Sequence, residues 1–284
     1  ASLDALEAFL AEAPALARAP TARHAIESCL LDLLAQARGV PLCRLLTETA
    51  RAEVEVNALV GAPLPHALAA EGAEAVARGF RVLKVKVAVQ SIPADLARLQ
   101  ALREAIGPAV QIRIDANGGW RSAREALHAL AVVGLELCEQ PLAAEDVEGL
   151  RALRGRVSLP IAADEAVSSV AAGIRLLAGA TPAVDILVLR PMVLGGVLPA
   201  LRLARLATER GVGCYVASSL DGVVARAFAA HLAAALPDAR WASGLGVGTL
   251  FAEEPPTHPF LPVAGRIRLP LAPGLGFPTR GGPK

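Results

Sequence analysis

The chain has 284 residues, 54% of them hydrophobic and 19% charged, with a formal net charge of +1. That balance belongs to a globular core and excludes a disordered chain; with aromatics at 3% and no basic block, it also argues against a nucleic-acid partner. A long stretch free of Asp, Glu, Lys and Arg, Asn57 to Ala70, contains Pro63, Pro65 and His66, so no membrane partner is expected.

Taken in order, Ser2 is placed to cap a helix over Leu3 to Ala11, and Pro14 and Pro20 break the run. Thr21 opens a second helix. Its apolar positions Ala25, Ile26, Cys29, Leu30, Leu33 and Leu34 predict one buried face, and Gly39 and Pro41 end it. From residue 54 short β-rich runs alternate with amphipathic segments, the pattern of βαβ units. Strands are expected at 54–60, 80–87, 110–116, 135–139, 160–164, 184–189, 212–217 and 239–242. The helices between them are expected at 66–78, 93–106, 121–133, 144–154, 168–178, 197–209 and 222–235.

This alternation predicts an α/β fold, a TIM-type (β/α)7β barrel with a partial N-terminal helical capping domain. An open doubly wound sheet would want a G-x-G-x-x-G after its first strand, and none is present. The expected organisation is capping helices over 1–50, the barrel over 51–242, and a Gly/Pro-rich segment, 243–284, running back to the capping domain. Cys29, Cys43, Cys138 and Cys214 lie far apart with no C-x-x-C, which reads as reduced thiols of a cytoplasmic protein. No signal peptide is legible. The only methionine is Met192, so the initiator was removed or the numbering begins inside a longer protein.

The chemistry gathers at strand ends. Lys84 and Lys86 share one side of the apolar run Arg81 to Val87. A lysine stripped of water there loses basicity and can act as a base; a solvated edge-strand face is the plain alternative. The next strands end in Asp115 and Asn117, in Glu139, in Asp164 and in Arg190. From Asp115 through Glu139 and Asp164 to Arg190 the intervals are 24, 25 and 26 residues, about one βα unit each. In a parallel barrel such ends converge on one rim. One acid there could simply cap the next helix, but three on consecutive strands are hard to explain that way. Crowded carboxylates repel unless a cation joins them, and hard oxygen donors suit Mg²⁺.

This K-x-K, D-x-N, E-Q-P, A-D-E and final basic residue, in this order, resembles the enolase superfamily and its muconate lactonizing branch. Ile114–Trp120, Cys138–Leu142, Val188–Gly196, Ser218–Gly222 and Gly244–Phe251 are most similar to the o-succinylbenzoate synthase family. The resemblance implies that Asp115, Glu139 and Asp164 bind Mg²⁺, with Mn²⁺ as an alternative. It makes Lys86 the base that removes the proton beside a substrate carboxylate, with Lys84 in support. Asn117, Ser218, Ser219, Gly244 and Gly246 become contacts to a small carboxylate substrate. The implied reaction is a dehydration that yields 2-succinylbenzoate for menaquinone.

Two departures stand out. Arg190 replaces a lysine that is usual in the family; it keeps the charge but does not release a proton, which suits a one-base dehydration better than a two-base racemisation. The family's capping domain normally begins with a small antiparallel sheet, for which nothing before Ser2 provides. Other readings are an N-acylamino acid or dipeptide racemase, a cycloisomerase, or a metal-binding scaffold without activity. Monomer and homo-oligomer are both open. His24, His66, His128, His231 and His258 are expected to be structural or surface residues. Trp120 is expected to line the site or pack over the rim, and Glu165 to support the metal or cap a helix.

Overall fold

The computed structural model describes residues 2–238, 240–247 and 258–277. Helices α1 (Leu3–Ala11), α2 (Pro14–Ala17), α3 (Pro20–Ala37) and α4 (Leu42–Leu46) come first. The Ser2 hydroxyl caps α1 by accepting the Ala5 amide at 3.1 Å. Pro14 and Pro20 each open a helix as well as separating two, because the first helical position needs no amide hydrogen. The expected 54–60 strand is two strands, β1 (Glu53–Glu55) and β2 (Ala58–Val60).

Alternating units follow: α5 (Pro65–Ala77), β3 (Val82–Lys86), α6 (Ile92–Ile106), β4 (Gln111–Asp115), α7 (Ala123–Leu130), β5 (Cys138–Glu139), α8 (Val147–Arg154) and β6 (Ile161–Ala163). Then come α9 (Val170–Leu177), β7 (Ile186–Leu189), α10 (Pro191–Leu194), α11 (Val197–Glu209), β8 (Gly213–Val216), α12 (Val223–Ala235) and β9 (Arg266–Arg268). Strands β2 to β8 form one parallel sheet in chain order, as consecutive βα units produce. β1 pairs antiparallel with β9, Glu53 opposite Arg268.

The sheet is curled, and both edges reach one segment. The expected strand at 239–242 is absent: residue 239 lies outside the described residues, and Arg240–Ala242 hold no strand. The pairing falls on Ser243 and Gly244, which bridge to Val56 and Ala217. Ser243 N donates to Glu55 O at 2.8 Å and its carbonyl accepts Asn57 N at 3.0 Å; Gly244 N donates to Val216 O at 2.8 Å and its carbonyl accepts Ser218 N at 3.0 Å. A Cβ on residue 244 would stand only 3.2 Å from that of Ala217, so glycine lets the chain come this close.

The main core lies between sheet and helices, and a smaller one fills the curl with Leu137, Ala162, Ile186, Val188 and Tyr215. No helix among the described residues is long and apolar enough to cross a membrane.

α3 corrects the expected face. Its buried residues are His24, Glu27, Ser28, Leu31 and Ala35, whereas Ile26 and Leu33 are 41% and 62% exposed. Ala25 and Cys29 are exposed, and Leu30 and Leu34 only half-buried. The reason is the partner. Glu27 accepts the Leu198 amide at 2.9 Å at the start of α11 and pairs with Arg23 at 2.8 Å. Gly196 sits so close that a Cβ would fall 2.3 Å from Glu27 Oε1. Glu27 and Arg23 of α3 therefore dock on the turn that follows β7 and α10, while His24 packs edge-on against Phe228 of α12.

The C-terminal segment touches the same helices. Gly274 O accepts Leu42 N at 2.8 Å, and Leu275 N donates to Asp32 Oδ1 at 2.7 Å. His231 on α12 accepts the Cys43 amide on Nδ1 at 3.0 Å, and its Nε2 lies 3.2 Å from Leu275 O. With one nitrogen accepting and the other donating to a carbonyl, the ring is neutral, and burial pushes its pKa down to about 4.

Candidate active site

Sheet register builds the site. Lys86 lies directly beside Asp115, and Asp115 directly beside Glu139, across β3, β4 and β5. Alternation turns Lys84 to the same side as Lys86. The Lys84 ammonium sits between two carboxylates, 2.8 Å from Asp115 Oδ2 and 2.6 Å from Glu139 Oε1. Lys86 donates to Asn117 Oδ1 at 2.5 Å and stands 3.8 Å from Asp115 Oδ2. Its side chain is 49% exposed against 17% for Lys84, so Lys86 is the more accessible of the two to a bound molecule.

Asp164 follows β6, and Arg190 follows β7; their Oδ1 and Nε lie 2.9 Å apart. Asn117 closes the row by donating to Glu165 Oε1 at 2.9 Å. Ala88, Asn117, Gln140 and Leu220, in the loops after β3, β4, β5 and β8, all have positive φ. Such strained backbone is held where surrounding contacts over-determine it, as at binding sites.

One cavity of about 360 Å³ gathers these groups: it is lined by Lys84, Lys86, Asp115, Asn117, Asp164, Glu165 and Arg190, and by Ser218, Ser219, Gly244 and Gly246. Glu139 is fully buried and reaches the site through Lys84. The residues that the resemblance marks as metal, catalytic and substrate contacts are therefore brought together at this cavity or, for Glu139, against it. Trp120 is not among the lining residues and packs against the core. The motif that begins at Gly244 runs past Val247 into residues outside those described.

Three contributors are not singled out by the sequence analysis. Gln140 is fully buried, accepts the Asp164 and Ala166 amides at 2.9 and 3.1 Å, and so fixes the loop that carries Asp164. Its signal was present, in the E-Q-P of the fourth expected strand. Asn57 lines the cavity with its Oδ1 buried and unbonded among the described residues. Tyr215 donates to Glu139 Oε2 at 2.5 Å from across the interior. It is the chain's only tyrosine, the one hint available.

The electrostatics revise one expectation. Burial lowers the basicity of Lys84, but the Glu139 and Asp115 carboxylates outweigh it, and the pKa rises. With these two carboxylates beside it, Lys84 is held as a cation. Asp164 is pushed up to about 7 by burial and by the nearby Glu139 charge, against the opposing pull of Arg190 and Lys84. Tyr215 is raised well above its ordinary value by burial and by Glu139, so its hydroxyl remains a donor.

Among the described residues no three acidic, histidine or cysteine side chains form a ready-made metal cluster, and Lys84 and Arg190 lie against the acids. The donor chemistry nevertheless fits a hard divalent cation. Three carboxylates supply oxygens only, and buried Asp164 Oδ1 has no hydrogen-bond partner among the described residues despite its nearness to Arg190.

Parallel βα units with acids and cations on successive strand ends define the class. Residues 67–280 match the family described as "Enolase C-terminal domain-like", and the chain belongs to the enolase superfamily. Within it, the chain is similar to the o-succinylbenzoate synthase of Mycolicibacterium smegmatis, 41% identical over 237 residues that cover 81% of this chain and 68% of the relative. It is also similar to the L-Ala-D/L-Glu epimerase of Bacillus subtilis (strain 168), 35% identical over 219 residues that cover 75% of this chain. The chain spans 59% of that epimerase's length. The solved dipeptide epimerase of Enterococcus faecalis V583 superposes with a TM-score of 0.84 at 32% identity, covering 91% of this chain and 75% of that one.

Proposed function

We propose that the protein is an o-succinylbenzoate synthase-like dehydratase, a metal-dependent carbon–oxygen lyase of menaquinone biosynthesis, built as a closed (β/α)7β barrel under a helical capping layer. The observation that carries this reading is the pair that faces the cavity. Lys86 is half exposed on β3, and Arg190 follows β7, four strands along the curled sheet. One can exchange a proton; the other holds its charge at any ordinary pH.

Lys86 takes the proton from the carbon beside the substrate carboxylate, and the C–H electron pair moves into that carboxylate. The C–O bond on the same face then breaks, the pair returns to form the ring double bond, and Lys86 gives its proton to the departing hydroxyl. Water leaves, the ring becomes aromatic, and the lysine ends as it began, with no oxidant or reductant required. Lys84 keeps a fixed positive charge beside the substrate carboxylate. Ser218, Ser219, Asn117 and the backbone at Gly244 and Gly246 orient the substrate. Mg²⁺ or Mn²⁺ held by Asp115, Glu139 and Asp164 would offset the negative charge that builds on the carboxylate.

A second reading is epimerisation of a dipeptide or N-acylamino acid, favoured by the epimerase relatives at 34–36% identity. It needs a second titrating group across the cavity, where Arg190 stands. The test is ultraviolet-monitored turnover of 2-succinyl-6-hydroxy-2,4-cyclohexadiene-1-carboxylate with Mg²⁺ and then with EDTA. Loss of the diene absorbance that EDTA stops supports the dehydratase. No turnover, together with exchange of the α-hydrogen of dipeptides in D₂O, would replace it with the epimerase.

A further inference from the structure

A tyrosine inside a curled sheet is an expensive choice unless its hydroxyl is used. Tyr215 is 1% exposed, and Leu137, Ala162, Ile186 and Val188 surround it. Its hydroxyl crosses the interior from β8 to β5 and donates to Glu139 Oε2 at 2.5 Å. The ring cannot swing away. Arg113 lies over its face, with the guanidinium carbon 4.9 Å from the ring centre. Arg113 is in turn fixed by Glu136 at 2.9 Å and by the Ala242 carbonyl at 2.9 Å.

Glu139 is thereby held at both ends, with Oε2 given to Tyr215 and Oε1 to Lys84 at 2.6 Å. The two contacts differ in kind. The phenol is locked by packing inside the sheet, whereas Lys84 sits at the cavity on a flexible stem. We infer that Tyr215 is a positioning residue for the cation site. It retains Oε2 of Glu139 and so leaves Oε1 as the oxygen that exchanges the ammonium for a divalent cation. The inference rests on Glu139 being a metal donor, as in the proposed function.

The test is Mn²⁺ binding, measured by titration calorimetry and by the paramagnetic resonance signal of the free ion, on the full chain without substrate. Tyr215→Phe keeps the ring and its stacking and removes only the hydroxyl. It should weaken Mn²⁺ binding about tenfold, in the range for groups that orient a metal's ligands, with little change in Tm. Val188→Ala, a packing change in the same cluster, should lower Tm and leave Mn²⁺ affinity as it was. Equal affinity in Tyr215→Phe and the unmodified protein would overturn the inference, as would an equal loss in Val188→Ala. If Glu139→Gln binds Mn²⁺ as well as the unmodified protein, the donor reading of Glu139 falls first and the tyrosine's role with it.

Discussion

Periodicity predicts both the strand ends and the buried face of α3, and of the two only the strand ends follow it. A strand offers two faces, and backbone pairing ties each strand to its neighbour, so one inward residue fixes its alternates. Lys86 beside Asp115 beside Glu139 is that rule at work. A helix offers a continuum of faces, and the partner chooses. On α3 the stripe of His24, Glu27, Ser28, Leu31 and Ala35 is buried and that of Ile26 and Leu33 is exposed. A carboxylate at the amide-rich start of α11 satisfies donors that have no intrahelical partner and lies at the positive end of the helix dipole. Hydrophobicity decides a helix face only when nothing more specific competes.

The largest effect is expected at the strand end. Lys86→Ala should lower kcat at least 1000-fold, about 4 kcal/mol of barrier, with Tm nearly unchanged because the side chain is half exposed. Turnover within tenfold of the unmodified protein would remove Lys86 as the base.

The helical layer should fail next, through acid. His231 is held neutral with its pKa lowered from 6.5 to about 4. A group whose folded pKa is depressed contributes its full stability above the unfolded pKa, and that contribution fades as pH falls from 6.5 towards 4. The shift corresponds to about 3 kcal/mol. Urea titrations at pH 7 and pH 4.5 should therefore show a loss that His231→Gln reduces; an equal loss in the variant would assign it to other groups.

Glu27→Gln comes third. It keeps the side-chain volume but takes the charge from the start of α11 and leaves Arg23 without its ion-pair partner, with only the Gly195 carbonyl still accepting from it. A cost of about 2 kcal/mol is expected, offset in part because burial already raises the pKa of Glu27 against the pull of the Leu198 amide and Arg23. A loss below 0.5 kcal/mol, roughly the noise of a surface substitution, would mean that α3 is oriented by something other than this carboxylate.

How much could be read beforehand follows from the same contrast. Asp115, Glu139, Asp164 and Arg190 were legible because each closes one βα unit, so their spacing carries their geometry. Tyr215 was not, because it sits between Cys214 and Val216 in an apolar strand and its partner is on β5, three strands away. Nor was the sense of the shift on Lys84, because burial and two carboxylates oppose each other and only the distances decide. The segment expected as a strand at 239–242 looks β-like, yet the pairing waits for Ser243 and Gly244, where the chain can lie against Ala217.

The smallest effect is expected on the exposed side of α3. Leu33 belongs to the stripe that hydrophobic periodicity would bury, and it is 62% exposed. If the face were decided by apolar content, Leu33→Gln would remove a buried side chain and cost about 2 kcal/mol or more. If Glu27 decides it, Leu33→Gln only exchanges one exposed group for another and should cost under about 0.5 kcal/mol, close to the scatter of surface substitutions. Combined with Glu27→Gln the test becomes sharper still, because α3 would then lack its polar anchor. Near-additive losses in the double variant would show that the two stripes act independently. A double-variant loss well beyond the sum would show that α3 falls back on its apolar stripe once the carboxylate is neutralised, and hence that both faces compete for the same seat on the turn at Gly196.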